Sequence, residues 1–333
     1  MDLFFSFIIP VYNRPEEIRE LLESLLEQTY QNPYEVVIVE DGSQNRSEEV
    51  VASFKKKLPI SYYYKENSGP GDSRNYGMRK AKGNYFIILD SDCLLPPTYL
   101  ESASKALEEH YVDCFGGPDT AHPSFSTTQK AINYAMTAFI TTGGIRGNKK
   151  AAQQFQPRSF NMGISKEAFE KTGGFGKIHP GEDPDLSIRL WGLGYKTRLI
   201  PEAYVYHKRR VDFYKFYTQV KKFGMVRPIL NHWHPGTAKL TYWFPFFFIS
   251  GLMVAVFLAV INIPWFLYLY ALYFVTVLVD SWNKNKAFSI ALLSLWAVVI
   301  QFVGYGLGFF KSTFLLTFSR KKPQEIFPSL FFK

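Results

Sequence analysis

The feature that most restricts the fold of this chain is an almost uncharged stretch between residues 242 and 310. Within it, residues 242–261 and 287–310 are each long enough to cross a bilayer, which takes about 20 apolar residues. Residues 265–279 form a shorter apolar segment between them. Because Trp243, Trp265 and Trp282 lie near segment ends, where tryptophan anchors helices at membrane interfaces, we expect two or three transmembrane helices within residues 241–312.

The positive net charge favours a membrane surface over nucleic acid as the partner of the basic residues. The net charge is +9, from 38 basic and 29 acidic residues, and such a surplus attracts nucleic acid, anionic lipid or phosphorylated substrates. Lys and Arg cluster beside the apolar segments and do not interleave with a nucleic-acid motif. We therefore predict an amphipathic interfacial helix or linker at residues 211–240, with a core-packed helix as the alternative, and a basic tail at 313–333.

The orientation in the membrane stays open at this point. Three spans would put the two ends of the apolar region on opposite sides, yet both of its flanks are basic. Since positive flanks prefer the same side, either residues 265–279 form a re-entrant or interfacial helix, or the rule is broken.

The first 210 residues alternate between short apolar strands and amphipathic helices. Strands are predicted at residues 6–11, 35–39, 61–64 and within 84–92. This alternation predicts right-handed βαβ units and a mainly parallel sheet, hence an α/β domain. Each strand ends in polar or acidic residues at the same edge of the sheet, which is where open α/β sheets bind ligands.

Residues 84–92 read NYFIILDSD, a buried strand that ends in two carboxylates one residue apart. Asp90 and Asp92 are expected just past the carboxyl end of this strand, where they suit a hard divalent cation held against substrate phosphates. Acids at this spacing are also common in ordinary loops, so the neighbouring motifs decide between the two interpretations.

Five motifs in order resemble the family 2 glycosyltransferases, inverting enzymes of GT-A fold that use nucleotide-diphosphate sugars. They lie within residues 5–210 and read IIPVYNRPEEIRELLESLLEQTY, VVIVEDGSQN, NSGPGDSRNYGMRKAKGNYFIILDSDC, NMGISKEAF and GEDPDLSIRLWGLGYK. The resemblance implies a Rossmann-like GT-A catalytic domain over residues 1–210, followed by an α-helical membrane region. It also implies a nucleotide-diphosphate-sugar donor and a cofactor, Mn²⁺ or Mg²⁺.

The resemblance assigns the donor site. It implies that Asp41 contacts the nucleotide base, since a carboxylate can accept the imide N–H of uracil, with Glu40 as the neighbouring alternative. It makes Arg74 a donor-site residue whose fork of donors suits a nucleotide or diphosphate. The wall near the base is expected to consist of Pro10, Val11 and Tyr12.

The resemblance also assigns the metal site. It implies that Asp92 binds the metal and that Asp90, with Ser91 beside it, lies on the ribose side of the nucleotide. Many relatives carry another carboxylate where this chain has Cys93, and that departure makes His207, in YVYHKRR, an expected additional ligand.

The acids of GEDPDLSIRLWGLG are the expected catalytic residues. Inversion needs a base that takes the proton of the acceptor hydroxyl as it attacks the anomeric carbon, and a carboxylate suffices. By resemblance Asp183 is this base and Glu182 positions the acceptor. Asp185 is interpreted as a helix N-terminal acid that the helix dipole favours.

The expected function is single-displacement transfer of a sugar to a hydroxyl of a glycan or lipid-linked acceptor, in cell-surface polysaccharide or glycolipid synthesis. The catalytic domain is expected at the cytoplasmic face of the membrane. Alternatives are a processive polysaccharide synthase, disfavoured because QVKKF departs from Q-x-x-R-W, and a non-enzymatic scaffold with a degenerate domain. A nucleotidyltransferase or dehydrogenase would need a glycine-rich phosphate loop after the first strand, which residues 9–15 lack.

Overall fold

The computed structural model describes residues 2–120, 122–143, 155–208 and 212–332. The chain divides into two compact units. The catalytic unit comprises residues 1–122, 147–208 and 331–333, and the helical unit comprises residues 123–146 and 209–330. This division differs from the boundaries expected at 210, 240 and 312, because residues 123–146 group with the helical unit and residues 331–333 group with the catalytic unit.

The main sheet of the catalytic unit is mainly parallel, as predicted. The strands are β1 (Phe5–Val11), β2 (Tyr34–Asp41), β3 (Ile60–Lys65), β4 (Tyr85–Leu89), β5 (Cys93–Leu94), β6 (Cys114–Gly116), β7 (Asp119–Thr120), β8 (Asn161–Ser165), β9 (Thr197–Leu199) and β10 (Val205–His207). Seven of them follow the order β3-β2-β1-β4-β8-β6-β9. Only β8 in this sheet runs antiparallel to its neighbours, β4 and β6.

A small second sheet has the strand order β5-β10-β7. In it, β10 runs antiparallel to β5 and pairs His207 with Cys93. The backbone N–H of Lys208 continues the pairing by donating to the carbonyl of Asp92 at 3.0 Å. This pairing carries His207, more than a hundred residues along the chain, to the end of β4.

Some helices cover the two faces of the main sheet, and the others form the helical unit. They are α1 (Pro15–Leu26), α2 (Glu48–Phe54), α3 (Pro70–Lys80), α4 (Tyr99–Glu109), α5 (Thr127–Thr137), α6 (Phe139–Thr142), α7 (Lys166–Thr172), α8 (Glu182–Gly192), α9 (Phe213–Trp233), α10 (Phe244–Val260), α11 (Trp265–Asn285), α12 (Phe288–Phe318) and α13 (Pro323–Ile326). Along β1, Phe7 and Ile9 pack in the core beside α1, while Ile8 packs in the core of the opposite face. Both faces of the strand are therefore buried, as in a parallel sheet between two helical layers.

Among the residues that the structure describes, the helical unit has three helices that are long and apolar enough to cross a membrane. They are Leu240–Val260 with 21 residues, Trp265–Asn285 with 21 and Phe288–Phe318 with 31. The first joins a short 3-10 helix, Leu240–Trp243, to α10. The middle helix continues six residues beyond the predicted end at 279, and the last one passes the expected boundary at 312. The helix thus extends beyond the apolar segment 265–279 through polar residues such as Asp280 and Lys284.

Helix α9 packs closely along α12 within the helical unit. A Cβ added at Gly224 would overlap the carbonyl of Tyr305, and one added at Gly308 would overlap the carbonyl of Lys221. Small residues of this kind let helix backbones approach closely. Phe216 of α9 is buried in a hydrophobic cluster with Val298 and Phe302 of α12, while a place for α9 in a membrane interface stays a prediction.

Candidate functional site

The candidate site lies where β1, β2 and β4 end, and Asn13 joins two of these ends. Its backbone N–H donates to Ser43 Oγ at 2.7 Å, and its side-chain oxygen accepts from the N–H groups of Gln44 and Asn45 at 2.9 and 3.0 Å. The turn after β1 is thereby fixed against the turn after β2. Of the three residues predicted to form the wall near the base, Pro10 is partly buried, Val11 is buried and Tyr12 is 52% exposed.

Asp41 is buried at the end of β2 and holds the loop that follows β3. Its carboxylate accepts from Lys65 Nζ at 2.7 Å and from the backbone N–H groups of Ser68 and Gly69 at 2.9 and 3.0 Å. The loop is therefore anchored to β2 by a charged hydrogen-bond network. Contact of Asp41 with a base stays a prediction, and it requires the carboxylate to share these partners.

Glu40, the alternative to Asp41, is enclosed by protein groups. Its side chain accepts from the hydroxyl of Ser43, from Ser47 N–H at 2.8 Å and from the Tyr62 hydroxyl at 3.1 Å. Because this residue is fully buried, these contacts give it a structural task in the loop after β2.

Arg74 of α3 links the acids after β4 to the acids at the start of α8. Its Nη2 donates to Asp90 Oδ1 at 2.7 Å, and its Nη1 donates to Glu182 Oε1 at 3.0 Å. Burial alone would lower the pKa of Arg74, but the two carboxylates outweigh it and the pKa is raised. A permanently charged guanidinium thus fixes both motifs, with Ser91 buried in the same turn as Asp90.

Asp92 lies between the guanidinium of Arg14 and the imidazole of His207. Arg14 Nη1 is 2.5 Å from Asp92 Oδ2, and His207 Nε2 is 3.2 Å from Asp92 Oδ1. Burial alone would raise the pKa of Asp92, but His207 and then Arg14 outweigh it and lower the pKa well below its ordinary value. The ring of Phe160 stacks on His207 with centroids 4.6 Å apart and fixes the imidazole in place.

The residues around Asp92 fit a divalent cation. Ligand atoms of Asp92, Cys93 and His207 all lie within 4.8 Å of one another. Among the described residues, Asp92 Oδ1 is buried without a hydrogen-bond partner, although His207 Nε2 faces it. A carboxylate oxygen suits Mg²⁺ or Mn²⁺ and the imidazole nitrogen supplies a second ligand to a transition metal, whereas the Cys93 thiol donates to the carbonyl of Phe160 at 3.4 Å. The two ligands predicted from the sequence, Asp92 and His207, are therefore brought together.

Glu182 and Asp183 begin α8 and have opposite electrostatic surroundings. Burial would raise the pKa of Glu182, but His179, whose Nδ1 is 3.0 Å from Glu182 Oε1, and Arg74 lower it to about 2. Burial raises the pKa of Asp183 and the Glu182 charge adds to this, although Arg158 at 3.6 Å opposes it. Asp183 therefore has the higher pKa of the two acids and accepts a proton more readily, as a general base must.

Four further basic residues contact these acids and were not among the predicted site residues. They are Arg14 beside Asp92, Lys65 beside Asp41, Arg158 beside Asp183, and His179 beside Glu182. Arg14 and Lys65 could have been found from the sequence, because Arg14 follows β1 and Lys65 ends β3 at the edge of the sheet where the acids lie. Arg158 and His179 lie in irregular segments and offer no such signal.

The family model described as glycosyl transferase family 2 matches residues 6–173, half of the chain. A glycosyltransferase of Rickettsia typhi, described as uncharacterised, is 45% identical over 104 residues, covering 31% of this chain and 32% of the relative. The Staphylococcus aureus enzyme TarS, a poly(ribitol-phosphate) beta-N-acetylglucosaminyltransferase, is 34% identical over 112 residues, covering 33% of this chain and 20% of the relative. The matches to curated relatives such as these cover only 16% to 32% of the relatives' length.

A solved structure supports the fold over nearly the whole chain. The mannosyltransferase PcManGT of Pyrobaculum calidifontis, in complex with GDP-Man and Mn²⁺, matches with a TM-score of 0.60 at 17% identity. The match covers 93% of this chain and 88% of that protein. The GT-A-like fold predicted from the sequence is confirmed by this likeness.

Proposed function

Because the chain belongs to glycosyl transferase family 2, we propose that it is a membrane-bound, metal-dependent inverting glycosyltransferase. It moves a sugar from a nucleotide-diphosphate sugar to a hydroxyl of a glycan or lipid-linked acceptor in a single displacement. The names of the relatives define the donors to test first, a nucleotide-linked N-acetylglucosamine and GDP-mannose.

One observation carries the proposal, namely the Arg74 bridge between Asp90 and Glu182 beside an Asp183 of raised pKa. The bridge joins a pair of acids suited to a metal and a nucleotide with a pair suited to proton transfer. An enzyme that couples departure of a diphosphate to deprotonation of a hydroxyl needs these two functions in one site.

The chemical step assigns one proton and one leaving group. Asp183 accepts the proton of the acceptor hydroxyl as the acceptor oxygen forms a bond to the anomeric carbon. On the opposite face of the sugar, the bond between this carbon and the diphosphate oxygen breaks, and the nucleoside diphosphate leaves with the electron pair. Asp92 and His207 would hold the divalent cation, whose charge would stabilise the departing diphosphate.

The other predicted residues hold the donor in this proposal. Tyr12, exposed at the end of β1, offers a face for stacking on the base, with Pro10 and Val11 behind it. Asp41 reads the base edge, and Asp90 and Ser91 lie on the ribose side. Arg74 orients the carboxylates of Asp90 and Glu182, since its guanidinium is buried and contacts both.

The three apolar helices support an acceptor that lies at a membrane. We place the catalytic unit on the cytoplasmic face, where nucleotide sugars are made, and place α9 in the interface. A glycan carried by a lipid, or the lipid itself, meets the site under this arrangement.

The test is a donor screen on the full chain in lipid nanodiscs with Mn²⁺. Thermal shifts with UDP-, GDP- and dTDP-sugars identify the donor, and mass measurement of the product made with a membrane extract identifies the acceptor class. Absence of both binding and hydrolysis with every donor would refute the proposal. Binding of nucleotide without any transfer favours the scaffold, and products with many added sugars favour a processive synthase.

A further inference from the structure

The last described residues of the chain, Phe331 and Phe332, belong to the catalytic unit although they follow the helical unit in sequence. Phe331 forms an antiparallel bridge with Ile178, and Phe332 N–H donates to the carbonyl of Lys177 at 3.1 Å. The segment thereby adds a short backbone pairing to the loop that leads into α8.

The ring of Phe332 lies against two loops of the site. One contact is with Gly69, where a Cβ would overlap the ring, and where φ of +92° independently favours glycine. The other contact is with His179, whose ring centroid is 5.9 Å away at an interplanar angle of 50°. One aromatic side chain therefore spans the loop after β3 and the loop before α8.

The contact with His179 leads directly to the candidate catalytic acids. His179 Nδ1 is 3.0 Å from Glu182 Oε1, and the same oxygen accepts from Arg74. His179 is partly exposed, with 40% of its side-chain surface accessible, so packing from one side matters to its orientation. Loss of the Phe332 ring would remove the apolar neighbour that holds this imidazole toward Glu182.

We propose that Phe332 is a positioning residue for sugar transfer. It fixes the loop 177–181 so that His179 holds Glu182, and Asp183 beside it keeps its direction toward the acceptor. Phe332 itself touches no reacting atom. This inference rests on the proposed function and adds to it the requirement that the segment after α13 returns to the site.

The first experiment compares Phe332→Ala, Phe332→Tyr and wild type in nanodiscs. We expect Phe332→Ala to lower kcat by about tenfold, because small displacements of catalytic groups cost up to about 100-fold, while the nucleotide Kd changes less than about twofold. Phe332→Tyr keeps the ring and is expected to restore kcat. As a matched control, Leu193→Ala removes a 56% exposed apolar side chain after α8 and is expected to leave kcat unchanged.

The outcomes separate positioning from simple packing. An unchanged kcat in Phe332→Ala overturns the proposal. Parallel losses of kcat, nucleotide binding and melting temperature also overturn it, since they indicate a general loss of structure. A loss confined to kcat, with Tyr restoring it, is the expected result.

The second experiment tests the docking without relying on a truncated side chain. Bridge partners in antiparallel strands have Cα atoms about 4.5 to 5.5 Å apart, within the range that a disulfide spans. The double variant Ile178→Cys, Phe331→Cys is therefore expected to cross-link under mild oxidation, while the native Cys93 and Cys114 are buried. The locked enzyme is expected to keep its activity.

The cross-link also distinguishes this inference from the proposed function. If the cysteines do not join, the segment is not docked and the inference fails. If they join and activity is lost until a reductant is added, the segment must leave during turnover and a fixed positioning role fails. If wild type transfers no sugar from any donor, the proposed function fails, while the cross-link still reports on docking.

Discussion

Asp92 and Asp183 are two acids of one site with opposite electrostatic surroundings. Asp92 is flanked by Arg14 and His207, and its pKa is held far below the ordinary value despite burial. Asp183 has one cation at 3.6 Å and a charged neighbour of its own sign, and its pKa is raised. The first acid is kept ionised, which suits a cation ligand, and the second is poised to accept a proton.

This difference arises from the fold and not from the residue type. Both side chains are mostly buried, with 12% and 15% of their surface exposed. The strand pairing of β10 with β5 brings His207, from a distant part of the chain, to Asp92. Asp183 instead has Glu182 as its neighbour in sequence, and burial together with that charge raises its pKa. The different surroundings therefore separate the roles of two identical carboxylates.

The largest expected effect is that of Asp183→Asn. An amide cannot take the acceptor proton, so we expect kcat to fall by about 1,000-fold, within the range for general-base catalysis. Nucleotide affinity is expected to stay within about twofold, because the Arg74 bridge remains. Turnover and nucleotide titration check this, and Glu23→Gln on the exposed side of α1 is the matched control. If the variant kept its turnover, Asp183 would not be the general base.

The next largest effect is expected for Asp92→Ala, which removes a metal ligand. We expect the affinity for Mn²⁺ to fall by at least about tenfold, since loss of an outer partner alone costs about 10- to 100-fold. Nucleotide binding is expected to lose its dependence on Mn²⁺. Calorimetric titration with and without the metal measures both. If the variant and the wild type bound the metal equally well, Asp92 would not be a metal ligand.

A smaller effect of opposite sign is expected for Arg14→Gln. The guanidinium lies on Asp92 Oδ2 and repels an incoming cation, so its removal should tighten Mn²⁺ binding in the absence of nucleotide. Unit charges about 4 Å apart interact by about 1 to 4 kcal/mol at a protein surface, and we expect a gain of about tenfold. Manganese resonance titration reads this out without turnover. Arg19→Gln, on the exposed side of α1, serves as control, and weaker Mn²⁺ binding in Arg14→Gln contradicts competition.

The smallest expected effect is a shift of the pH profile in Arg158→Gln. Asp183 acts as a base only when ionised, so kcat falls as the pH falls through its pKa. Because Arg158 lowers this pKa, its removal should raise the pKa and move the acid limb to higher pH. The profile of kcat against pH measures the limb, with Arg79→Gln as control. An unmoved limb would assign the proton transfer to another group.

The sequence predicts well those parts of the site that come from strand ends. Asp41, Asp90 and Asp92 lie at the predicted edge because an apolar run followed by an acid marks the point where a parallel strand ends. Arg14 and Lys65 lie at the same edge, yet their partners depend on side-chain directions in turns, such as the one fixed by Asn13. A local pattern does not encode these directions.

The contacts that join distant segments could not be predicted from the sequence. The prediction that His207 is a metal ligand came from the family resemblance, and the register of β10 against β5 supplies its physical basis. The pairing of Ile178 with Phe331 joins residues more than 150 positions apart and leaves no periodic trace. Helix α11 extends beyond the apolar segment 265–279 for a related reason, because tertiary packing can continue a helix past the apolar residues that predict it.

The glycine contacts between α9 and α12 have a mechanical consequence. Where backbone touches backbone, no lipid chain can wedge between the helices, and no side-chain rearrangement can take up strain. Under the proposed membrane placement, the pair would therefore tilt or shift as one rigid body when bilayer thickness changes, and the depth of α12 would determine the depth of α9. Alanine at Gly224 or Gly308 would push the two helices apart at that turn, and each helix could then change its depth independently.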